Sequence, residues 1–211
     1  GIRQSHVAIA FPTGDYLSKD SVALDVLTAI WEYRIEQRLR EENTRFNGGI
    51  YHPNHWLPRT FTHGMAAVWF ATVGDDKYVE LAVEMAVEEC EKLKTDGSSE
   101  FNEDCKDRKA YINDSFEQML ISHPLGLCEA ITEATCNGDP KLKEFVNYKR
   151  RLNKVNPRIL REVANKYFTT PDRFVKVVIK PLVVPKRIIN LVSDEVKPYL
   201  LAINHDPDFS E

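Results

Sequence analysis

Apolar residues recur every three or four positions between Lys77 and Leu93, and glutamates occupy many of the positions between them. This spacing predicts an amphipathic helix with one apolar stripe and a solvated acidic face. Gly97 is predicted to supply the left-handed residue that ends this helix. Ser98 or Ser99 is predicted to cap a second helix, which starts acidic as the helix dipole favours. The chain is therefore predicted to be organised around two helices that meet at a tight elbow.

Strand-like runs flank the two helices. Apolar segments bounded by turn residues predict four strands, at residues 6–11, 50–57, 61–72 and 174–179. Helical spacing predicts further helices at residues 21–42, 127–136 and 142–152, and one that Asn156 caps and Pro157 begins. The order is strand, helix, two strands, a block of helices and a strand. It predicts an α+β fold, a two-layer sandwich with a largely antiparallel sheet and helices packed on one face.

The predicted elements end near residue 181. We therefore expect one domain over residues 1–181. Residues 182–211 hold Pro185, Pro198 and Pro207 among apolar residues. This segment is predicted to be a tail that packs on the domain or a linker that leads to a following one.

Composition and charge exclude some partners. The 211 residues are 43% hydrophobic and 28% charged, with a formal net charge of −4. Basic residues are scattered and slightly outnumbered, which argues against nucleic-acid binding. No apolar run approaches the roughly 20 residues that cross a bilayer. We expect neither a nucleic acid nor a membrane among the partners.

Cysteines and tryptophans are predicted to be core residues. The four cysteines lie in predicted helices without a Cys-x-x-Cys pair, and we interpret them as reduced thiols in or near the core: Cys90, Cys105, Cys128 and Cys136. A Cys90–Cys105 bridge across the elbow stays open. The tryptophans stand in apolar company: Trp31, Trp56 and Trp69.

Three histidines invite a metal hypothesis. His52 and His55 are three residues apart, and His63 follows nearby. Imidazoles bind several transition metals, although no thiol or carboxylate lies close in the sequence to complete a site. Solvent-facing strand or loop histidines are the simpler interpretation.

Two charged runs are predicted to be solvated helix faces. The acidic run resembles paired catalytic carboxylates, but its spacing is helical: Glu84, Glu88, Glu89 and Glu91. The basic run has the same default interpretation, with contact to an acidic substrate or a neighbouring domain left open: Lys149, Arg150, Arg151 and Lys154.

Three segments in this order resemble the insulinase/pitrilysin family of zinc metallopeptidases, which includes the mitochondrial processing peptidases. HVAIAFPTGDY with the helix ending in RLREE is similar to the opening strand, loop and helix of a family half-domain. CEKLKTDGSSEFNEDCKDRK resembles the helix–Gly–Ser/Thr-Glu-x-Glu–helix elbow, and VNPRILREVANKYFTTPDRFVKVVIKP the final helix and strand. Together the segments cover residues 6–181.

The resemblance implies a half-domain that does no chemistry. Family members build a peptidase from two or four half-domains around a chamber. The catalytic half carries a His-x-x-Glu-His helix and a distant Glu for Zn²⁺ and its water. None of the six histidines here is followed three residues later by Glu-His. The resemblance thus implies no catalytic residue, metal ligand or cofactor in this chain. It implies Zn²⁺ in a partner half-domain, in the same polypeptide or in another subunit, and an extended peptide as substrate.

Non-catalytic halves of the family often grip substrate with an Arg and a Tyr seven residues apart. Arg40 occupies the place of that Arg, but Asn47 stands seven residues on. Tyr51 is the nearest Tyr, so a lengthened loop would bring Arg40 and Tyr51 together as the substrate-binding pair. The simpler alternative is that Arg40 is an exposed cation at a helix end, which the dipole favours.

Two rival functions remain. The first is a structural scaffold of the same fold, as in the respiratory core subunits that resemble this family. The second is a small-ligand binding module that shares only the α+β order, which a closed polar pocket on the sheet would favour.

Overall fold

A computed structural model describes residues 4–41, 50–72, 76–169 and 173–180, with the backbone alone for residues 40–41, 50–52 and 76–77. The strands are β1 (Ser5–Thr13), β2 (Ile50–Trp56), β3 (Gly64–Thr72) and β4 (Val175–Ile179). The helices are α1 (Ser21–Glu36), α2 (Asp76–Leu93), α3 (Ser99–Ser122), α4 (Pro124–Cys136), α5 (Lys143–Lys154) and α6 (Pro157–Tyr167). A π-helical turn, Gln37–Glu41, extends α1. The fold is α+β, as predicted.

The four strands form one antiparallel sheet in the order β2-β3-β1-β4. β1 is central: Ser5 lies opposite Thr72 of β3, and His6 lies opposite Ile179 of β4. Side chains alternate between the two faces of a strand, so every second residue of β1 points the same way. Val7, Ile9 and Phe11 are all at most 1% exposed, which identifies the face that the helices cover.

An aromatic cluster joins the sheet to α1 and to the end of α6. The Phe11 and Phe168 ring centroids are 4.9 Å apart, and those of Trp31 and Phe168 are 5.2 Å apart. Trp31 Nε1 donates a hydrogen bond to the Ala86 carbonyl of α2 at 2.9 Å, which satisfies the one polar atom of a fully buried indole. The prediction of a core position for Trp31 is therefore confirmed.

The same prediction is wrong for the other two tryptophans. Trp56 is 59% exposed and Trp69 is 41% exposed. Trp69 lies opposite Ala8, and Trp56 opposite Ala67, on the face of the sheet that the helices leave uncovered. Apolar neighbours in the sequence suggested burial, but strand alternation sends adjacent residues to opposite faces.

Two helix caps are as predicted. Ser98 Oγ accepts a hydrogen bond from the Phe101 amide at 3.1 Å and caps α3. Asn156 Oδ1 accepts from the Ile159 amide at 3.1 Å and caps α6, whose first residue is Pro157. These side chains satisfy amides that have no partner inside the helix.

Two predicted helix boundaries are wrong. The elbow does not use a left-handed glycine, because Gly97 lacks a positive φ; in the described ranges the glycine that has one is Gly138, at 91°. α4 begins at Pro124 and not at residue 127, so His123 alone separates it from α3. Proline fits the first turn of a helix, where its missing amide proton is not needed.

All four cysteines are free, so Cys90 and Cys105 form no bridge. These two are buried, as predicted, and burial raises the pKa of both thiols. Cys128 and Cys136 are exposed on α4, contrary to the prediction. Within the described residues no helix combines the length and apolarity that crossing a membrane requires. Residues 181–211 lie outside the description, so the domain boundary at 181/182 stays a prediction.

Candidate functional site

The structure places the backbones of the predicted pair, Arg40 and Tyr51, on adjoining elements. Arg40 belongs to the π-helical turn after α1, and Tyr51 of β2 lies opposite Ala71 of β3. Cα atoms of the turn and of β2 approach within 8 Å of each other. The side chains of both residues, and all of residues 42–49, lie outside the description. Their joint action on a substrate therefore stays a prediction.

The predicted histidine group is only partly described. His55 Nδ1 pairs with the Glu32 carboxylate of α1, and His63 Nδ1 lies 2.7 Å from Thr62 Oγ1. The side chain of His52 lies outside the description. Among the side chains that the structure describes, no three His, Cys, Asp or Glu residues gather closely enough to hold a metal ion. The described histidines thus do not fit a zinc site.

A polar cleft of about 780 Å³ opens at the elbow, between the end of α1, the end of α2 and the start of α3. Its cations are Arg34, Arg38 and Lys92. Its carboxylates are twice as many: Glu89, Asp96, Glu100, Glu103, Asp104 and Asp107. The three cations are already engaged with some of these carboxylates, so the open part of the cleft is acidic.

The predicted solvated acidic face of α2 is wrong at Glu89. This carboxylate is buried, with its residue only 5% exposed, and accepts from Arg38 Nη1 at 2.8 Å and from Lys92 Nζ at 2.7 Å. Arg38 also pairs with Glu88. Burying a charge is costly unless it is paired, so the π-helical turn after α1 must supply a partner before this face of α2 can pack.

The predicted basic face of α5 is also partly structural. The Arg151 guanidinium donates to the Ser18 carbonyl at 2.9 Å and to Ser21 Oγ at 3.0 Å, and it pairs with Glu144. Lys149 pairs with Glu117 of α3. Arg151 therefore ties α5 to the loop before α1, and it is not part of a solvated face.

Asp25 is a half-buried junction that the sequence did not reveal. Its Oδ1 accepts from Arg59 Nη2 at 2.5 Å and its Oδ2 from the Tyr148 hydroxyl at 2.9 Å. Burial and the neighbouring Asp25 carboxylate raise the pKa of Tyr148, which stays a neutral donor. These residues are far apart in the chain and belong to no local motif, so only tertiary structure brings them together.

The face of the sheet that the described helices leave uncovered, termed here the outer face, carries several exposed apolar side chains. Its exposed members come from three strands: Trp56, Trp69, Val175, Val177 and Ile179. The large polar cleft lies at the elbow and not on this face. The closed polar pocket on the sheet that would favour a small-ligand module is not seen in the described part of the chain.

No protein-family model matches the chain, and no curated protein matches it either. Several solved structures match the chain. A protease from Helicobacter pylori superposes with a TM-score of 0.71 at 20% identity, over 86% of this chain and 42% of that one. The inactive peptidase domain of a candidate zinc protease from Bordetella parapertussis superposes with a TM-score of 0.70 at 18% identity, over 88% of this chain and 95% of that one.

A chain of complex III from Candida albicans, solved with Inz-5 bound, superposes with a TM-score of 0.68 at 12% identity. That match covers 95% of this chain and 47% of the other. This chain thus spans less than half the length of the Helicobacter and Candida proteins. At these identities the likeness shows the fold alone. The chain has the fold of the inactive half-domains of insulinase/pitrilysin-type zinc peptidases.

Proposed function

We propose that this chain is a non-catalytic half-domain of a zinc metalloendopeptidase, and that it forms part of the substrate chamber beside a half-domain that carries the zinc site. The observation that carries the proposal is the match to an inactive peptidase domain over nearly all of that domain's length. It is supported by the sequence, in which no His-x-x-Glu-His occurs.

The partner in this proposal is the zinc-bearing half-domain, and the ligand is an extended peptide. Two features support peptide binding. Within the described part of the chain β2 and β4 are the outermost strands of the sheet, and an outer strand can pair with peptide backbone with little demand on sequence. The turn that holds Arg40 packs near β2, which holds Tyr51. Arg40 is proposed to bind a peptide carbonyl or carboxylate, and Tyr51 to donate from its hydroxyl.

The test is a fluorescence-anisotropy titration of the full chain with a labelled unstructured peptide, with cleavage followed in the same samples. We expect saturable binding and no cleavage, with or without added Zn²⁺. Arg40→Ala and Tyr51→Phe should each weaken binding, Arg40→Ala by about tenfold or more because a charge-assisted hydrogen bond is lost. Arg158→Ala is the control, since Arg158 is an exposed cation on α6.

Zinc-dependent cleavage by the pure chain would overturn the proposal. If neither substitution weakens binding, Arg40 and Tyr51 do not bind the peptide. The outer strands then remain as the proposed binding site. No binding at all would favour the second candidate, a structural scaffold, which the likeness to a chain of complex III supports. The coding sequence around this segment distinguishes the peptidase half-domain from the scaffold. A His-x-x-Glu-His helix in an adjoining half-domain would indicate a peptidase, and its absence a scaffold.

A further inference from the structure

One side of α3 is exposed along the helix. The buried residues of α3 lie in its first two turns: Phe101, Asp104 and Cys105. Further along, the Phe116 ring packs against α5, with centroid distances of 5.5 Å to Phe145 and 4.9 Å to Tyr148. Away from this contact, Tyr111 is 59% exposed, and Gln118, seven residues on, is also exposed. The second half of α3 therefore packs through one side and presents the other to its surroundings.

A groove of about 490 Å³ lies on this exposed side, between α3 and the start of α4. Tyr111 and Met119 line it along α3, and Gly126 lines it on α4. Most of the groove surface is apolar. Ile121 and Leu125, on either side of the junction between the two helices, are 80% and 73% exposed. Exposed apolar surface of this kind, with polar residues around it, is typical of a place where another protein packs.

The charges near the groove have one sign. Asp114 lines the groove and is exposed. Lys149 approaches from α5 but is already paired with Glu117. Residues 110–140 contain no lysine or arginine, and their acidic residues are Asp114, Glu117, Glu129, Glu133 and Asp139. Charge complementarity therefore favours an occupant that is positively charged as well as apolar.

The exposed side of α3 continues from the groove to the elbow cleft. The Arg108 guanidinium lies 5.8 Å from the Tyr111 ring of the groove and 4.5 Å from the Tyr33 ring, which lines the cleft. In the cleft, Glu103 and Asp107 are exposed. Glu103, Asp107 and Tyr111 follow each other at four-residue spacing, so they lie on one side of the helix. This side of α3 is therefore acidic near the elbow and apolar near α4.

We propose that the exposed side of α3, from the elbow cleft to the groove, is a docking surface for a basic amphipathic helix of a partner protein. Apolar side chains of that helix fill the groove against Tyr111 and Met119, and its lysines or arginines pair with Glu103 and Asp107. Glu103 and Ser115 are 12 residues apart, which is about 18 Å along a helix. A partner helix that lies along α3 must therefore carry its basic and apolar groups about 18 Å apart.

A second copy of this chain does not suit the surface. A two-fold contact would place the same patch of each copy against the other, and like charges would then face each other. The chain also carries a formal net charge of −4. The inference does not depend on the peptidase proposal, because Arg40 and Tyr51 belong to other elements of the fold.

The test is a fluorescence-anisotropy titration of the full chain with a labelled alanine-based helical peptide about as long as α3. The peptide carries lysines on one side of one half and leucines on the same side of the other half. Both sequence orders are measured, because two packed helices can run parallel or antiparallel. We expect saturable binding of one order. Replacing the leucines by alanine, or the lysines by glutamate, should weaken binding about tenfold or more.

Two variants of the chain locate the binding site. Gly126→Leu fills the groove and should weaken binding about tenfold or more, whereas Gly126→Ala should bind as the unaltered protein does. An added Cβ at this position lies 3.6 Å from Met119 Cγ, which is an ordinary contact. Asp107→Lys reverses a charge of the cleft and should also weaken binding about tenfold or more. Its control is Glu84→Lys, the same change at an exposed position of α2. Circular dichroism confirms that each variant is folded.

Failure to bind either peptide order would overturn the proposal. Binding that survives replacement of the leucines would reveal charge attraction alone, and binding that Gly126→Leu and Asp107→Lys leave unchanged would place the peptide elsewhere. Weakening by Arg40→Ala or Tyr51→Phe would assign the peptide to the proposed substrate site. Self-association of the chain that Gly126→Leu abolishes would assign the surface to a second copy. Each of these results overturns the proposal.

Discussion

Arg34 of α1 donates through Nε to Asp104 of α3, with 2.8 Å between Nε and Oδ2 and 70 residues between the two positions. The same guanidinium donates through Nη1 to Asp96, just before the elbow, at 2.7 Å. The Arg34 and Asp104 side chains are only 11% and 9% exposed. One cation on α1 therefore holds the elbow between α2 and α3 from both sides.

Arg34→Met should destabilise the domain strongly. The substitution keeps the apolar stem but leaves Asp96 and Asp104 without their shared partner in a poorly solvated place. Removing one member of a buried ion pair costs about 3 kcal/mol or more. Urea unfolding followed by circular dichroism measures the loss as a lower midpoint at unchanged slope.

The control for Arg34→Met is Arg158→Met, which makes the same chemical change. Arg158 and its partner Glu162 are 77% and 62% exposed on α6 and 3.5 Å apart. Such a surface pair contributes less than about 1 kcal/mol. An Arg34→Met protein that loses no more stability than Arg158→Met would show that the elbow is held by apolar packing alone.

The ion pairs at the elbow should make the stability of the domain depend on pH. Burial tends to raise the pKa of Asp96, but hydrogen bonds from Ser98 and Arg34 outweigh it, so its pKa lies below the ordinary 3.8. A carboxylate with a lowered folded-state pKa contributes stability that is fully present above the unfolded-state value and is lost as the pH falls through the folded-state value. The free energy of unfolding should therefore begin to fall as the pH drops below about 5.

Asp96→Asn tests this dependence by removing the titrating group. We expect the variant to be less stable at pH 7 and to lose less further stability between pH 5 and pH 2. Asp107→Asn, at an exposed position of α3, should keep the slope of the unaltered protein. Equal slopes for the Asp96→Asn and unaltered proteins would contradict the assignment. The pKa of Asp20 is also lowered. Part of the pH dependence of the free energy of unfolding therefore remains in both the Asp96→Asn and the unaltered protein.

Two glycines should respond in opposite ways to alanine. Gly138 has a φ of 91°, and an added Cβ would lie 2.6 Å from Cδ2 of Phe61. Gly138→Ala should therefore cost about 1–2 kcal/mol. Gly97 has no positive φ, and an added Cβ meets no atom within 4 Å, so Gly97→Ala should stabilise by about 0.5 kcal/mol through the unfolded state. Thermal unfolding of both variants measures the difference, and a Gly97→Ala protein that is clearly destabilised would restore a conformational role for that glycine.

The four thiols should divide into two classes. Cys128 and Cys136 are exposed, whereas Cys90 and Cys105 are buried with raised pKa values. Because the thiolate is the reactive form, a colorimetric disulfide reagent should modify two thiols rapidly and two only on unfolding. The double variant Cys128→Ser/Cys136→Ser should lack the rapid phase. Fewer than four thiols after denaturation would instead reveal a disulfide.

Features that depend on a few adjacent residues were predictable. The caps Ser98 and Asn156, the Pro157 start of α6 and the central strand β1 all lie where the sequence indicated. Each is a local interaction: a side-chain oxygen within reach of a free amide, or alternating residues on a strand. The α+β order followed because apolar periodicity decides which elements form, and their succession limits how they can pack.

Features that depend on what lies across the fold were not predictable. Glu89 is buried because Arg38 pairs with it from the π-helical turn after α1, and Arg151 is held by the loop before α1. Trp56 and Trp69 are exposed because the helices cover the opposite face of the sheet. A residue's own sequence neighbours specify its secondary structure and its direction on that element. Whether that direction leads to solvent, to a counter-ion or to the core depends on contacts between distant segments, and the tertiary structure alone supplies those.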